Sequence, residues 1–162
     1  LVELYVPLEL PPTAARDATT EILRALGDRE APYERAMLSV GLREMRVPLD
    51  GTISVPIDAH VEARPLRWEC ALRIQAEDHQ EFFPTFEGTI TVTPNGRDAC
   101  ELWLQGNYVP PMGAMGASIN ASVLRGAAEA SLRSFLRWLG EEVQRKVDEG
   151  ERLTRFDRKM HP

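Results

Sequence analysis

Apolar and polar residues alternate along most of this chain, and alternation with period two puts successive side chains on opposite faces of a β-strand. In the first segment Val2, Leu4, Val6, Leu8 and Leu10 share one face, and Glu3, Tyr5, Pro7 and Glu9 the other. Further on, Ile53, Val55, Ile57, Ala59, Val61 and Ala63 alternate with Ser54, Pro56, Asp58, His60 and Glu62. Trp68, Cys70, Leu72 and Ile74 oppose Arg67, Glu69, Ala71 and Arg73. Phe86, Gly88, Ile90 and Val92 oppose a row of threonines and Glu87, and Cys100, Leu102, Leu104 and Tyr108 oppose Glu101, Trp103, Gln105 and Asn107. Doubly covered parallel strands would be apolar on both faces. This pattern predicts antiparallel strands with one buried face and one wet one.

The turn residues agree. Arg64-Pro65 and Asn95-Gly96 mark tight connections, and Asp50-Gly51 separates Met45-Val47-Leu49 from Ile53-Val55-Ile57. Keeping both of those apolar sets on one face predicts that Leu49 pairs with Ile53. Thr13, after Pro11-Pro12, is a candidate N-cap for a short helix carrying Ala18, Ile22, Leu23 and Leu26. Residues 33–41 read equally as a helical turn or the start of a strand. From about Ser118 to Val147 the spacing changes to that of a helix. Leu124, Ala128, Leu132, Phe135, Leu139, Val143 and Val147 make a three-four stripe, while Arg125, Glu129, Arg133, Arg137, Glu141 and Arg145 mark a solvated face. Such a helix is roughly 45 Å long, enough to cross a whole sheet of ten-residue strands. Residues 149–162 read as a charged, fraying tail after a single domain over 1–148.

The predicted architecture is therefore α+β: a curved antiparallel sheet of about six strands, one or two short helices after the first strand, and a long C-terminal helix. An apolar sheet face needs a cover, and only the last helix is long enough to supply it. A sheet curled around that helix encloses volume walled by Val, Ile, Leu, Phe and Trp. The element order resembles the START-like (SRPBCC, helix-grip, Bet v 1-like) superfamily. The likeness is carried from Arg67 to Val143 by "LRWEC", "FFPTFEGTITVTP", "LWLQGNYVPPMGAMG" and the helix that follows, and it is similar to the polyketide cyclase/dehydrase and lipid-transport grouping. It implies a deep apolar pocket between sheet and helix for a hydrophobic small molecule such as a lipid or polyketide. The lining expected on that basis is Val55, Ile57, Trp68, Leu72, Phe86, Ile90, Leu102, Leu104, Tyr108, Met112, Met115, Leu124, Ala128 and Phe135. An empty dry cavity of ~300 Å³ would cost on the order of 7 kcal/mol, comparable to a domain's whole stability. A retained pocket is thus expected to be filled, hydrated or collapsed.

Composition narrows the function further. The 162 residues carry 19 Lys+Arg against 25 Asp+Glu, a net charge of −6, which disfavours a nucleic-acid or anionic-membrane binder. The uncharged stretch from Leu102 to Leu124 is no membrane span, because Gln105, Asn107, Pro110-Pro111, Asn120 and its glycines interrupt it. Two cysteines fit a reducing cytoplasm and match no zinc spacing.

Candidate chemistry is sparse. Asp58, His60 and Glu62 share one strand face, but the wet one, and a polar stripe accounts for them better than a metal. Glu77, Asp78, His79 and Glu81 crowd a predicted strand connection and read as a polar turn. Cys70 and Cys100 fall on the inward face without a histidine beside them, so they read as small apolar filler with no disulfide between them. Tyr108 and Trp68 carry polar handles on apolar bodies. Arg43 and Glu44 sit where the parity slips, so one of them turns inward, and which one is left open. Residues 106–116 serve as an entrance lid or as a plain connector. Gly126 and Gly140 inside the helix permit a bend or a close approach. No catalytic residue, metal or cofactor is expected. The leading reading is a binding module for a hydrophobic small molecule. Its rivals are a polyketide cyclase or aromatase acting in the same cavity, and an interaction module with a filled core that uses outward Trp103. Oligomeric state is left open.

Overall fold

The computed structural model describes residues 1–26, 37–41, 52–64, 69–76, 85–109 and 121–160; at 37–41, 52–61, 63–64, 76, 121–125, 127 and 154–160 it describes the backbone. Six strands, β1 (Val2–Leu8), β2 (Met37–Gly41), β3 (Thr52–Arg64), β4 (Glu69–Ala76), β5 (Thr85–Pro94) and β6 (Cys100–Val109), form one sheet in the order β1-β6-β5-β4-β3-β2. Every pairing is antiparallel. Helix α1 (Pro12–Leu26) follows β1, and α2 (Ala121–Met160) closes the chain. The α+β architecture expected from the alternation is the one observed.

The order explains how the helix is held. β1 and β2 are the two edges of the sheet, yet both lie against α2. A flat sheet of six strands spaced about 4.8 Å apart could not bring both edges to one helix, so the sheet must curl. Gly140 marks the closest approach of the helix to β1: a Cβ there would meet Val6 Cγ1 at 3.1 Å and Leu8 Cδ2 at 3.5 Å. The absent side chain is what lets the helix backbone settle onto the strand. At Gly126 a Cβ would meet nothing within 4 Å, so that glycine serves no packing purpose.

The local expectations fare differently. Helix α1 begins at Pro12, with Ala15 N–H donating to the Pro11 carbonyl at 3.0 Å, so Thr13 is not its cap. Proline is favoured at a first helical position because its missing N–H has no intrahelical acceptor there. Ile53 pairs with Val40, on the strand Met37–Gly41 that neighbours β3, and its expected partner Leu49 is not among the described residues. Met45, Val47 and Leu49 lie outside the described residues. The ambiguity over residues 33–41 is resolved as strand from Met37 onward. Finally, α2 does not stop near Val147 but continues to Met160, so the segment expected to fray is helical. Its dense charge is compatible with this because opposite charges fall at helical spacing. Arg145 is paired with Glu142 at 2.6 Å and Glu149 at 2.8 Å.

Candidate functional site: the inward face between sheet and helix

The strand registers resolve the inward face into rows that cross the sheet. Ile74, Phe86 and Tyr108 form the first row, on β4, β5 and β6. Leu72, Gly88, Gly106 and Val2 form the second, and Cys70, Ile90, Leu104 and Leu4 the third. Val92, Leu102 and Val6 follow, then Cys100 and Leu8. Directly paired residues on adjacent strands project to the same side. Of these side chains only Leu4, Val6 and Tyr108 are less than fully buried, and all three pack against the same core cluster.

The end of this face nearest Leu8 is closed by α1. Arg16 Nη2 donates to the Val92 carbonyl at 3.4 Å, and Thr20 Oγ1 donates to the Arg16 carbonyl at 2.9 Å. Lys146 of α2 meets Glu21 of α1 at 2.7 Å across this end. From Gly140, set against Val6 and Leu8, α2 runs back over the sheet through Leu139, Leu136, Phe135 and Leu132 to Ala128, all buried. That is about 18 Å of helix. The opposite end of the face is the Ile74-Phe86-Tyr108 row. The chain leaves β6 there at Val109, just beyond Tyr108, and α2 begins with Ala121.

Between the first two rows lies a hollow in the sheet floor. Gly88 and Gly106 are paired, and each lacks room for a methyl group. A Cβ at Gly106 would stand 2.6 Å from Gly88 Cα and 2.8 Å from Phe86 Cζ. At Gly88 it would stand 2.6 Å from Phe86 Cζ and 2.8 Å from Gly106 Cα. The Phe86 ring thus lies down over the two glycines, and their missing side chains are the space it fills.

Polar groups are few inside. Among the described residues the buried polar side chains are Thr19 and Ser131, and Thr19 Oγ1 donates to the Ala15 carbonyl at 2.7 Å. Burial pushes both thiols above their ordinary range, against smaller opposing effects of Thr20 and Arg24 at Cys70 and of Arg16 at Cys100. Both cysteines are free, and β5 separates their strands. A thiol held protonated is a poor nucleophile, so the geometry agrees with the filler reading. Tyr108 is the polar residue of the inward rows. Its body packs against the core, and no described residue hydrogen-bonds its hydroxyl.

The expected lining residues divide in three. Leu72, Phe86, Ile90, Leu102, Leu104, Ala128 and Phe135 are buried, and Tyr108 is half-buried beside them. Val55, Ile57 and Leu124 are placed by backbone alone, on β3 and at the start of α2. Trp68, Met112 and Met115 lie outside the described residues, as do Arg43, Glu44, the polar turn at 77–81 and the lid segment from 110 on. Of the possible metal stripe, Glu62 is exposed, and the side chains of Asp58 and His60 are outside the description. The described residues contain no group of three metal-ligating side chains. Sequence parity missed Leu136 and Ser131, which widen the buried face of α2 beyond a single stripe. A helix wrapped by a curved sheet buries a broader arc than one resting on a flat surface, and a one-in-three-four pattern does not show that.

Tyr5, 57% exposed, stacks on Trp103 with ring centroids 5.0 Å apart, and Trp103 Nε1 donates to Glu101 at 2.9 Å. The outward Trp103 is partly covered by its own cross-strand neighbour. Among the described residues no helix is long and apolar enough to cross a membrane.

No known family profile matches the sequence, and no curated protein is similar to it. Solved structures do match. The di-domain aromatase/cyclase StfQ of the steffimycin biosynthetic pathway is similar over 91% of this chain and 46% of its own, with a TM-score of 0.53 and 11% identity. Ara h 8.0201, of the Bet v 1 group, is similar over 91% of this chain and 97% of its own, with a TM-score of 0.52 and 11% identity. The di-domain aromatase/cyclase BexL of the BE-7585A biosynthetic pathway is similar over 88% and 46%, with a TM-score of 0.51 and 12% identity. The chain spans about half the length of the two di-domain proteins. The likeness establishes the fold: the chain has the helix-grip architecture that these structures share.

Proposed function

We propose that this helix-grip chain binds a hydrophobic small molecule between the inward face of its sheet and helix α2, at the end marked by Phe86 and Tyr108. The observation that carries the reading is the asymmetry of that face. One end is sealed by α1 and its polar contacts. The other ends in an aromatic row whose Tyr108 hydroxyl has no partner among the described residues. A phenol at the margin of an apolar interior can orient a ligand's carbonyl or hydroxyl while the apolar wall supplies the affinity. Val55, Ile57, Trp68, Met112, Met115 and Leu124 complete the proposed wall, within a proposed binding domain spanning 1–148. The cytoplasm is the proposed location, on the strength of two free cysteines.

A second reading keeps the same proposed site and adds chemistry. The two di-domain neighbours are named as aromatase/cyclases, which favours a cyclisation directed by the pocket. It requires ionisable groups to converge near Tyr108, and Arg43 or Glu44 would have to supply them. The interior as described holds Thr19, Ser131 and protonated thiols, which supports binding over acid-base work.

Native mass spectrometry of the purified protein, followed by organic extraction, tests the binding reading. A hydrophobic adduct that the solvent releases is expected, and Tyr108→Phe should weaken its rebinding by about tenfold, one hydrogen bond's worth. A protein that carries no adduct and does not bind long-chain alkyl or polycyclic probes ends this reading.

A further inference from the structure

The connection between β5 and β6, residues 95–99, lies at the α1 end of the sheet and takes no part in the proposed ligand site. Asn95 and Gly96 stand at its start, and both are exposed. Gly96 has φ 109°, an angle that side chains rarely adopt, so the residue after Asn95 is one without a Cβ. The other asparagines, at 107 and 120, precede Tyr108 and Ala121.

An asparagine followed by a glycine carries chemistry of its own. Asparagine is a thermolabile residue, because the next backbone nitrogen can attack its side-chain amide carbon and close a five-membered ring. Crowding at the following residue hinders that attack, and glycine offers none. At Asn95 both reacting groups are loosely held. The Asn95 backbone N–H donates to the Ala99 carbonyl at 2.9 Å, which fixes the turn, but among the described residues no backbone bond holds the Gly96 N–H. The side-chain amide donates to Glu101 Oε1 at 3.4 Å, the long limit of a hydrogen bond, in an exposed position.

The neighbourhood determines what such a reaction does to the fold. Glu101 is shared: its Oε1 accepts from Asn95, and its Oε2 accepts from Trp103 Nε1 at 2.9 Å. Trp103 in turn stacks on Tyr5. A carboxylate at position 95 has no N–H to donate and carries the same charge as Glu101, so repulsion replaces the bond. We propose that Asn95 is a site of spontaneous deamidation, in which the Gly96 nitrogen attacks Asn95 Cγ and the product carboxylate breaks the Asn95–Glu101 link to Trp103. The bond from Gly96 N to Cγ forms, the bond from Cγ to Nδ2 breaks, and ammonia leaves with the proton of the attacking nitrogen. Water then opens the ring. Opening at Cγ gives aspartate, and opening at the Asn95 backbone carbonyl gives isoaspartate, with one extra carbon in the main chain. One water enters, one ammonia departs, nothing is oxidised or reduced, and one negative charge is added to the chain's −6.

Warm incubation of the full chain at mildly alkaline pH, followed by peptide mass mapping with fragmentation, tests this. Asn95 should gain about 1 Da and become methylatable by an isoaspartyl O-methyltransferase, about tenfold or more faster than Asn107 in the same sample. Asn107 lies inside β6 and precedes a tyrosine, which makes it the internal control. The Asn95→Gln chain, whose longer side chain would have to close a six-membered ring, should stay unmodified at that position over the same period. In two-dimensional NMR the Trp103 indole N–H should shift as conversion proceeds, and Asn95→Asp should show a shifted position from the start. An Asn95 that stays intact, or that converts no faster than Asn107, overturns the inference. So does an indole resonance that Asn95→Asp leaves in place.

Discussion

Replacing Gly106 by alanine tests the packing of the sheet floor, because two well-founded arguments predict opposite signs. Neither Gly88 nor Gly106 has the positive backbone angle that requires glycine; among the described glycines Gly96, at φ 109°, has it. In extended backbone, Gly→Ala restricts the unfolded chain and should stabilise by about 0.4–1 kcal/mol. The structure opposes this gain. The new Cβ would stand 2.6 Å from Gly88 Cα and 2.8 Å from Phe86 Cζ, against ~3.5–4.0 Å for comfortable carbon contacts. About 1 Å of separation must be found. The ring can give way, but Gly88 Cα belongs to β5, which is paired with β4 on one side and β6 on the other. Forced overpacking of this kind costs roughly 1–3 kcal/mol. The net loss expected is therefore about 1–2 kcal/mol, a fall in melting temperature of about 2–8 °C for a chain this size. Urea and thermal unfolding followed by far-ultraviolet circular dichroism measure it. Two other glycines calibrate the series. Gly126→Ala meets nothing within 4 Å in a helix, so it should stabilise by up to about 1 kcal/mol. Gly140→Ala presses on the movable tips of Val6 and Leu8 and should fall between the two. If Gly106→Ala proves as stable as the parent while Gly126→Ala gains stability, the close approach of β5 and β6 is wrong.

Three further outcomes follow from the same geometry. Phe135→Ala removes a fully buried ring of α2 and should cost about 3–5 kcal/mol by urea unfolding, and a cost under ~1 kcal/mol would show that the helix does not seat there. Burial raises both thiol pKa values above the unfolded value of 9.0, so the folded protein holds these protons more tightly. Their contribution to stability is then complete below about pH 8 and declines as pH rises past 9, and a Cys70→Ala/Cys100→Ala variant should show a shallower alkaline decline than the parent. At pH 7 the parent's thiols should react with a disulfide reagent only as the chain unfolds. Finally, a double-mutant cycle on Tyr5 and Trp103 should give a coupling of about 0.5–1.5 kcal/mol, and zero coupling would mean that the rings do not stack.

The part of the candidate site that alternation could reveal was revealed. Leu72, Phe86, Ile90, Leu102 and Leu104 read as inward because a half-buried strand repeats every two residues, and they are buried. The helix stripe was legible for the same reason at a different period, from Ala128 to Val143. Where chain direction depends on pairing, the sequence was weaker. Asp50-Gly51 suggested a hairpin from Leu49 to Ile53, yet Ile53 sits opposite Val40. Parity constrains which face a residue occupies and says little about which strand lies beside it. The hollow under Phe86 was equally hidden, since Gly88 reads as a weak strand position until Gly106 is placed across from it.

By itself the sequence determined that this chain must build a one-sided antiparallel sheet and cover it with its last helix. That follows from local periodicity, and each strand states it independently. Tertiary structure alone decided that both sheet edges reach the same helix, that α1 seals one end of the interior while an aromatic row marks the other, and that the helix outruns the sheet. Curvature, end closure and overhang depend on where distant segments meet, and distance across a fold is not encoded in the spacing of neighbours along the chain.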